Sequence, residues 1–515
     1  MTLTPSEAVT LALTVPLVSS SIMDRLVLPR QRFARGSVAR MLHVLAIVFM
    51  FGGLLAASGR PWFSALMTVA LNCLMIIVSN AKYATLREPF VFTDLSLFGQ
   101  LFAHPRLYLP FLGGRNMLLV AGGALILAIG YALDRPLMMA MRMVGIVLVG
   151  ACLAAGYGVA AKMKLSLDPI ADQVRHGFFS TFVAYLVNGM RPRTQRDLRQ
   201  ALSAGPFAAE PIKADVAASL PDVIVIQSES YFDARQVSPA IRGAAYAQFD
   251  RGCNEAVLSG TLAVPAWGAN TMRTEFAMLT GLSMSHLGYA RFYPYAFIWH
   301  VCASIARWFR RAGYLTVAIH PYHADFFGRN RVFPLLGFDR FYDIGHFDRA
   351  ACVGAYVADS AVADAIIDEL EAARGVPRFI FAMTMENHGP LHLESVQPGE
   401  SLGLHTLGER ADWRDLTAYL RHVANADAMI GRLLGYLRER RRDTVVCFYG
   451  DHVPALGHVF DKLGVSPEKS NYFIWRNFDV LSGERQDLRA EELGSALLTA
   501  ASVDRSNAQL ECSPE

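Results

Sequence analysis

The pattern of apolar and polar positions divides the chain in two. Apolar runs at 8–23, 41–58, 62–79, 116–133 and 143–161 approach the ~20 residues a helix needs to cross a bilayer, and predict five membrane spans. The first run is short and holds Pro16 and three serines. No basic segment precedes it, which argues against a cleaved signal peptide. Residues 80–114, "NAKYATLREPFVFTDLSLFGQLFAHPRLYLPFLGG", are too polar and proline-broken for a simple span; they fit a lipid-entry groove or a plain connecting loop.

Beyond about residue 165 the pattern changes to short apolar runs and amphipathic stretches. "DVIVIQSESYF", "LTVAIHPYH", "FIFAMTMENHGP", "TVVCFYGDH" and "NYFIWRN" each read as a buried strand. Between them, 360–374 and 415–439 carry apolar residues at three- and four-residue spacing and predict helices. The expectation is an N-terminal α-helical membrane domain followed by an α/β catalytic domain with a mostly parallel central sheet. The boundaries follow: a multi-span domain at 1–165, a juxtamembrane linker at 166–216, the catalytic domain at 217–500 and a tail at 501–515.

Composition supports this division. Of 515 residues 53% are hydrophobic and 18% charged, which is apolar for a soluble protein. The net charge of +3 is small and says little about partners; no nucleic acid is expected. The seven cysteines stand singly, without a CxxC pair, against a thiolate zinc cluster or a disulfide framework. Three of the fourteen histidines precede residue 200 and eleven follow it, which places the chemistry in the C-terminal half.

In a parallel sheet, ligands bind beyond the carboxyl ends of the strands. Four of the expected strands run into Glu229, His320, His388 and the pair Asp451-His452, residue types that hold a divalent metal or a phosphate. A nucleophile is available in "WGANTMRTEFAMLTG" (267–281). Thr271 there lies at or near a helix start, where backbone N–H groups stabilise an anion, and a metal-coordinated hydroxyl loses its proton more readily. Thr271 or Thr274 would also serve as a plain N-cap; the carboxylate and Asp-His endings favour the nucleophile.

With these motifs in order ("SESYF", "GANTMRTEF", "LTGL", "FFGRNRVFPLLGFDRFYD", "MENHGP", "YGDH"), residues 220–480 resemble the catalytic domain of lipoteichoic acid synthases and related phosphoglycerol transferases. These belong to the alkaline phosphatase/sulfatase superfamily. The resemblance implies that Glu229, Thr271, Asp451 and His452 hold one divalent metal, Mn2+ first, with Zn2+ or Mg2+ as alternatives. It makes Thr271 the nucleophile as well. Arg329 and His388 then grip the donor's phosphate and glycerol, His388 can protonate a departing oxygen, and His320 lies beside them. Phe327 stands where the synthases carry tryptophan, and Arg273 where an aspartate is common, so contacts to donor or acceptor differ.

The implied activity is a membrane-bound, metal-dependent transfer of phosphoglycerol from phosphatidylglycerol, or another phospholipid donor, to a hydroxyl of a glycan or glycerolphosphate polymer. It would pass through a phospho-threonine. Phosphoethanolamine transfer and phosphodiester hydrolysis share the same residues, though phosphoethanolamine transferases usually carry a cysteine-rich pattern missing here. A formylglycine sulfatase would need a Cys-x-Pro-x-Arg segment, and none is present. An inactive membrane scaffold or sensor is the non-enzymatic alternative. The implied setting is a bacterial inner membrane. Five arginines in "DRLVLPRQRFARGSVAR" put that loop in the cytoplasm and, over five spans, the catalytic domain with it. The basic loop at Asp134, Arg135 and Arg142 gives the opposite count, and the resemblance favours an extracytoplasmic catalytic domain.

Overall fold

The computed structural model describes residues 4–97, 99–100, 104–136, 139–211, 220–372, 375–479 and 483–501. The expected tail 501–515 lies outside the described residues beyond Ala501, as does 212–216 of the expected linker. The chain forms two compact units, Met1–Gln195 and Arg196–Glu515.

Among the described residues of the first unit, four helices are long and apolar enough to cross a membrane: Pro5–Leu26, Ser37–Ser58, Pro61–Leu86 and Met139–Ala161. The run expected at 116–133 belongs to the helix Pro105–Leu133, whose apolar stretch Met117–Leu133 is shorter than the other four. These helices turn inside out relative to a water-soluble bundle. Pro61–Leu86 buries Ser64, Thr68, Asn72 and Ser79, while Leu118, Leu125, Val147 and Leu153 point outwards. Small and polar residues at the contacts, with large apolar ones outside, suit a hydrocarbon surround. The segment expected as a linker carries three helices, Pro169–His176, Phe178–Gly189 and Pro192–Ser203.

The second unit is built on a mixed sheet. Its strands are β1 (Asp222–Ser228), β2 (Leu258–Ala263), β3 (Leu315–Ile319), β4 (Arg340–Tyr342), β7 (Arg378–Met383), β8 (Thr444–Gly450), β9 (Lys469–Arg476), β10 (Glu484–Arg485) and β11 (Leu488–Arg489). A separate hairpin joins β5 (Cys352–Val353) to β6 (Tyr356–Val357). The order is β10-β2-β9-β8-β1-β7-β3-β4, with β11 also on β2. The five strands from β8 to β4 are parallel, and β9 runs antiparallel to both β8 and β2.

The continuous apolar runs of β1, β7 and β8 have a simple cause: every residue of these strands is buried, as expected when helices cover both faces of a parallel sheet. On one face Ile224, Ile226, Ile380, Ala382, Val446 and Phe448 pack with Val362, Ile366, Leu420 and Val423, from the helices Asp359–Glu371 and Arg414–Glu439. The alternate residues face the other way. There Phe309, from the helix Ile305–Arg311, stacks on Phe379 with ring centroids 4.6 Å apart. With both faces sealed, the open chemistry lies at the carboxyl ends of the strands.

Candidate metal centre and active site

β1 and β8 pair in register up to Ser228↔Gly450, so the next residues of each strand, Glu229 and Asp451-His452, emerge side by side. Gly450 is required at the end of β8 because a Cβ there would lie 1.9 Å from the carbonyl oxygen of Tyr231. His452 Nε2 lies 3.5 Å from Glu229 Oε1 and 3.4 Å from Asp451 Oδ2, and one ligand atom from each of the three residues falls within 4.8 Å of the others. All three are buried. The backbone is spent on holding the carboxylates. Ser230 N–H donates to Asp451 Oδ1 (2.8 Å), Ser230 Oγ donates to Glu229 Oε1 (2.8 Å), and Glu229 N–H donates to Thr384 Oγ1 (3.0 Å). Ser230 takes a left-handed φ of 53° to do so.

The donor set fits a divalent cation. Asp451 Oδ2 is fully buried and has no hydrogen-bond partner among the described residues, an arrangement that costs free energy unless a positive charge faces it. Burial and the neighbouring Glu229 carboxylate push the Asp451 carboxyl up to about 7, against the pull of His452 and the Ser230 amide. Two carboxylates and an imidazole are oxygen and nitrogen ligands of the kind zinc and manganese accept.

The helix Thr271–Thr280 starts at this point, after Asn270 in a left-handed conformation (φ 65°). Its approach is fastened to the loop after β8: Gly268 N–H donates to Val453 O (2.9 Å), and Thr274 Oγ1 donates to Asp451 O (2.7 Å). Thr271, the first helical residue, has its Oγ1 3.5 Å from His452 Nε2. All four residues expected at the metal therefore meet at one place. Thr274 faces inwards and clamps the Asp451 backbone.

The residues expected around the substrate form a second layer. Thr271 and Glu275 lie on one face of their helix, about one turn apart. Glu275 is fully buried and accepts from Arg329 Nη2 (2.7 Å) and Nε (3.1 Å). Tyr295 OH donates to it as well, and Gln227 adds a long contact of 3.4 Å. Arg329 is only 1% exposed, and its remaining edge donates from Nη1 to His320 Nε2 (3.1 Å). An arginine cannot accept, so His320 Nε2 holds the lone pair and the ring proton sits on Nδ1. Burial, then Arg329 and His388, hold His320 well below its ordinary range and keep it neutral. His320 Nδ1 is buried with no partner among the described residues. Phe327 carries a left-handed φ of 56° and lies under the Arg329 guanidinium, 5.3 Å from its ring centroid. His388 is half-buried, with Tyr356 OH 3.3 Å from its Nδ1.

Sequence reasoning missed Glu275, Tyr356 and a buried cluster behind "MENHGP". In that cluster His422 from the helix Arg414–Glu439 bridges Glu386 (2.9 Å) and Glu394 (2.8 Å). Asp359 N–H donates to the other oxygen of Glu386. Burial opposes a charge on His422, but the hydrogen bonds to Glu386 and Glu394 overcome it and raise the imidazole to about 9. An imidazolium between two carboxylates fixes the loop that carries His388. The signal for Glu275 was one helical turn of spacing from Thr271; nothing local marks its partner 54 residues away.

A family model described as Sulfatase matches residues 221–502. The chain is 28% identical over 472 residues to the capsular polysaccharide biosynthesis protein RkpI of Rhizobium meliloti, covering 87% of this chain and 83% of that protein. It is 30% identical over 253 residues to a putative cyclic beta-1,2-glucan modification protein of the same organism, covering 47% and 37%. Among solved structures it is similar to the phosphoglycerol transferase GacH of Streptococcus pyogenes in complex with sn-glycerol-1-phosphate. That match has 22% identity, a TM-score of 0.47, and coverage of 60% of this chain and 78% of the other.

Proposed function

The chain belongs to the sulfatase family, and from that premise we propose that it is a membrane-bound, metal-dependent transferase. It moves phosphoglycerol from phosphatidylglycerol to a hydroxyl of a glycan or polymer through a phospho-threonine. The observation that carries the reading is the position of Thr271: a hydroxyl at a helix start, 3.5 Å from an imidazole that itself contacts two buried carboxylates. A divalent cation held by Glu229, Asp451, His452 and Thr271 would supply charge neutralisation and a lowered hydroxyl pKa.

Thr271 Oγ attacks the donor phosphorus while the bond from phosphorus to the diacylglycerol oxygen breaks. That oxygen leaves as diacylglycerol once protonated, and the phosphoglyceryl group stays on Thr271. An acceptor hydroxyl then attacks the same phosphorus, giving up its proton and freeing Thr271. The backbone N–H groups at the start of the Thr271–Thr280 helix face the phosphate charge. His388, half-buried with its Nδ1 against Tyr356 OH and Gly389 O, is the group assigned to proton transfer through Nε2. Neutral His320 offers Nδ1–H to a phosphate or glycerol oxygen, and Arg329, its charge balanced by Glu275, sets that tautomer. Phe327 closes the apolar side of the subsite. The names of the two Rhizobium relatives, capsular polysaccharide biosynthesis and glucan modification, support a glycan as the acceptor. The helices of the first unit would keep the enzyme in the bilayer that holds its lipid donor, with the catalytic unit outside the cytoplasm.

The test supplies the purified full chain with Mn2+, a glycan acceptor and phosphatidylglycerol labelled in its headgroup. Diacylglycerol release with label on the glycan is the expected result. Release from phosphatidylethanolamine but not from phosphatidylglycerol would overturn the donor assignment, and label found only in free glycerol phosphate would overturn transfer in favour of hydrolysis.

A further inference from the structure

Three consecutive residues of the catalytic unit, Trp299, His300 and Val301, are exposed between two buried ones, Ile298 and Cys302. Trp299 is 60% exposed and Val301 61%, a degree that only Leu393 and Leu402 exceed among the described large apolar residues of the second unit. This is not a loose loop. Arg331 donates to the carbonyl oxygens of Tyr295 (2.7 Å) and Ile298, and Cys302 N–H donates to Leu335 O (3.2 Å). The Trp299 indole N–H is satisfied within the turn by Ala296 O (3.0 Å), which leaves the ring with no polar claim on water. A rigid turn is thus built to hold a tryptophan and a valine in the open.

The surroundings are cationic. The Arg331 guanidinium stacks over the Trp299 ring at 4.1 Å. Arg307 reaches Leu335 O (3.4 Å) from the helix Ile305–Arg311, whose last turn carries the exposed Arg310 and Arg311. Asp339 neutralises Arg310 at 2.9 Å; Arg307, Arg311 and Arg331 keep the rim positive. Burial, and then the like charges of Arg311 and Arg310, lower Arg307. An exposed aromatic with an aliphatic neighbour inside an arginine rim matches one kind of partner: an interface with apolar depth and anionic headgroups.

The loop is also tied to the candidate active site. The helix Arg329–Leu336 begins with the arginine locked on Glu275 and continues with Arg331 and Leu335, which anchor the loop. Tyr295, whose carbonyl Arg331 holds, places its phenol on Glu275. We propose that Trp299 and Val301, with the rim of Arg307, Arg311 and Arg331, form a docking loop that inserts into the surface of an anionic phospholipid bilayer. The inference goes beyond the transferase reading and stands without it.

The test uses the full chain in nanodiscs of phosphatidylcholine, with and without phosphatidylserine, neither of which is the proposed donor. Acyl chains brominated close to the headgroup quench tryptophan that enters the interface. The contribution of Trp299 is the difference between the wild type and Trp299→Phe, in which the other tryptophans cancel. That difference emission should be quenched by the brominated lipid, more strongly when phosphatidylserine is present, and shielded from aqueous iodide. Val301→Asp should reduce its quenching several-fold. Difference emission that ignores brominated lipid and remains open to iodide would overturn the proposal in favour of a solvent-facing turn. Protection from both quenchers with a doubled mass would overturn it in favour of contact between two copies of the chain. Quenching unchanged in Val301→Asp would also count against it.

Discussion

Thr271 and Thr274 are three residues apart on one helix and do different work. Thr271 presents its hydroxyl to His452, whereas Thr274 spends its own on the Asp451 carbonyl. Thr271→Ala should lower turnover by about a thousandfold or more, as loss of a nucleophile does, and leave the melting curve nearly unchanged, because Asn270 and not Thr271 is the N-cap. Thr274→Ala should retain much of the turnover and still accept the phosphoglyceryl group. A melting curve and a steady-state assay on both variants separate the roles. Glu275 makes a different kind of prediction. It faces Arg329 with both side chains almost wholly buried, so Glu275→Gln strands a buried cation and should cost about 3–5 kcal/mol. Arg329→Met added to that variant should recover part of the loss, and a double-mutant cycle measures how much.

At the scale of elements, legibility followed hydrophobic contrast. β1, β3, β7, β8 and β9 were readable because buried strands of a parallel sheet are apolar throughout, and the residue after each run is where function sits. Glu229, His320 and Asp451 directly follow their strands, as the pattern implied. β2, with the sequence LSGTLA, was not readable: only two leucines, four residues apart, stand among small and polar residues, and the strand is mostly half-buried. β4, β10 and β11 are three residues or fewer and offer no period at all. The helix Arg414–Glu439 was visible from its spacing, but the role of His422 on it was not. That role depends on Glu386 and Glu394, which lie 36 and 28 residues away and meet it only through the fold. The pair has a pH signature. The folded imidazole is raised to about 9, above the ordinary ~6.5 of an unfolded chain. Its contribution to stability is therefore complete below about pH 6.5, declines between there and about pH 9, and is absent above. The stability difference between wild type and His422→Gln should shrink over that window; a difference constant with pH would remove the charge from the account.

For the molecule as a whole, the sequence separated an apolar half from a catalytic half, and the structure has two compact units. The fourth expected span, 116–133, also lies within one long helix, although hydropathy marks where apolar residues run and not where a helix begins. The helix there starts at Pro105, well before its apolar stretch. The catalytic unit should also depend on its metal for stability. Without a cation, burial of Asp451 beside Glu229 favours the protonated carboxyl, so stability drains as pH rises through about 7. Added Mn2+ should raise the melting temperature more at about pH 8 than at about pH 5, because protons compete for the same ligands. A chelator should reverse the gain. Glu229→Gln should blunt both responses.

The central claim is that Thr271 becomes covalently phosphoglycerylated. Its direct measurement is mass spectrometry of the full chain, quenched in acid after brief mixing with phosphatidylglycerol and Mn2+ in the absence of acceptor. The expected result is a peptide containing Thr271 heavier by one phosphoglyceryl group, absent in Thr271→Ala and discharged when acceptor is added. Turnover in Thr271→Ala equal to wild type, or the added mass on any other residue, would contradict it.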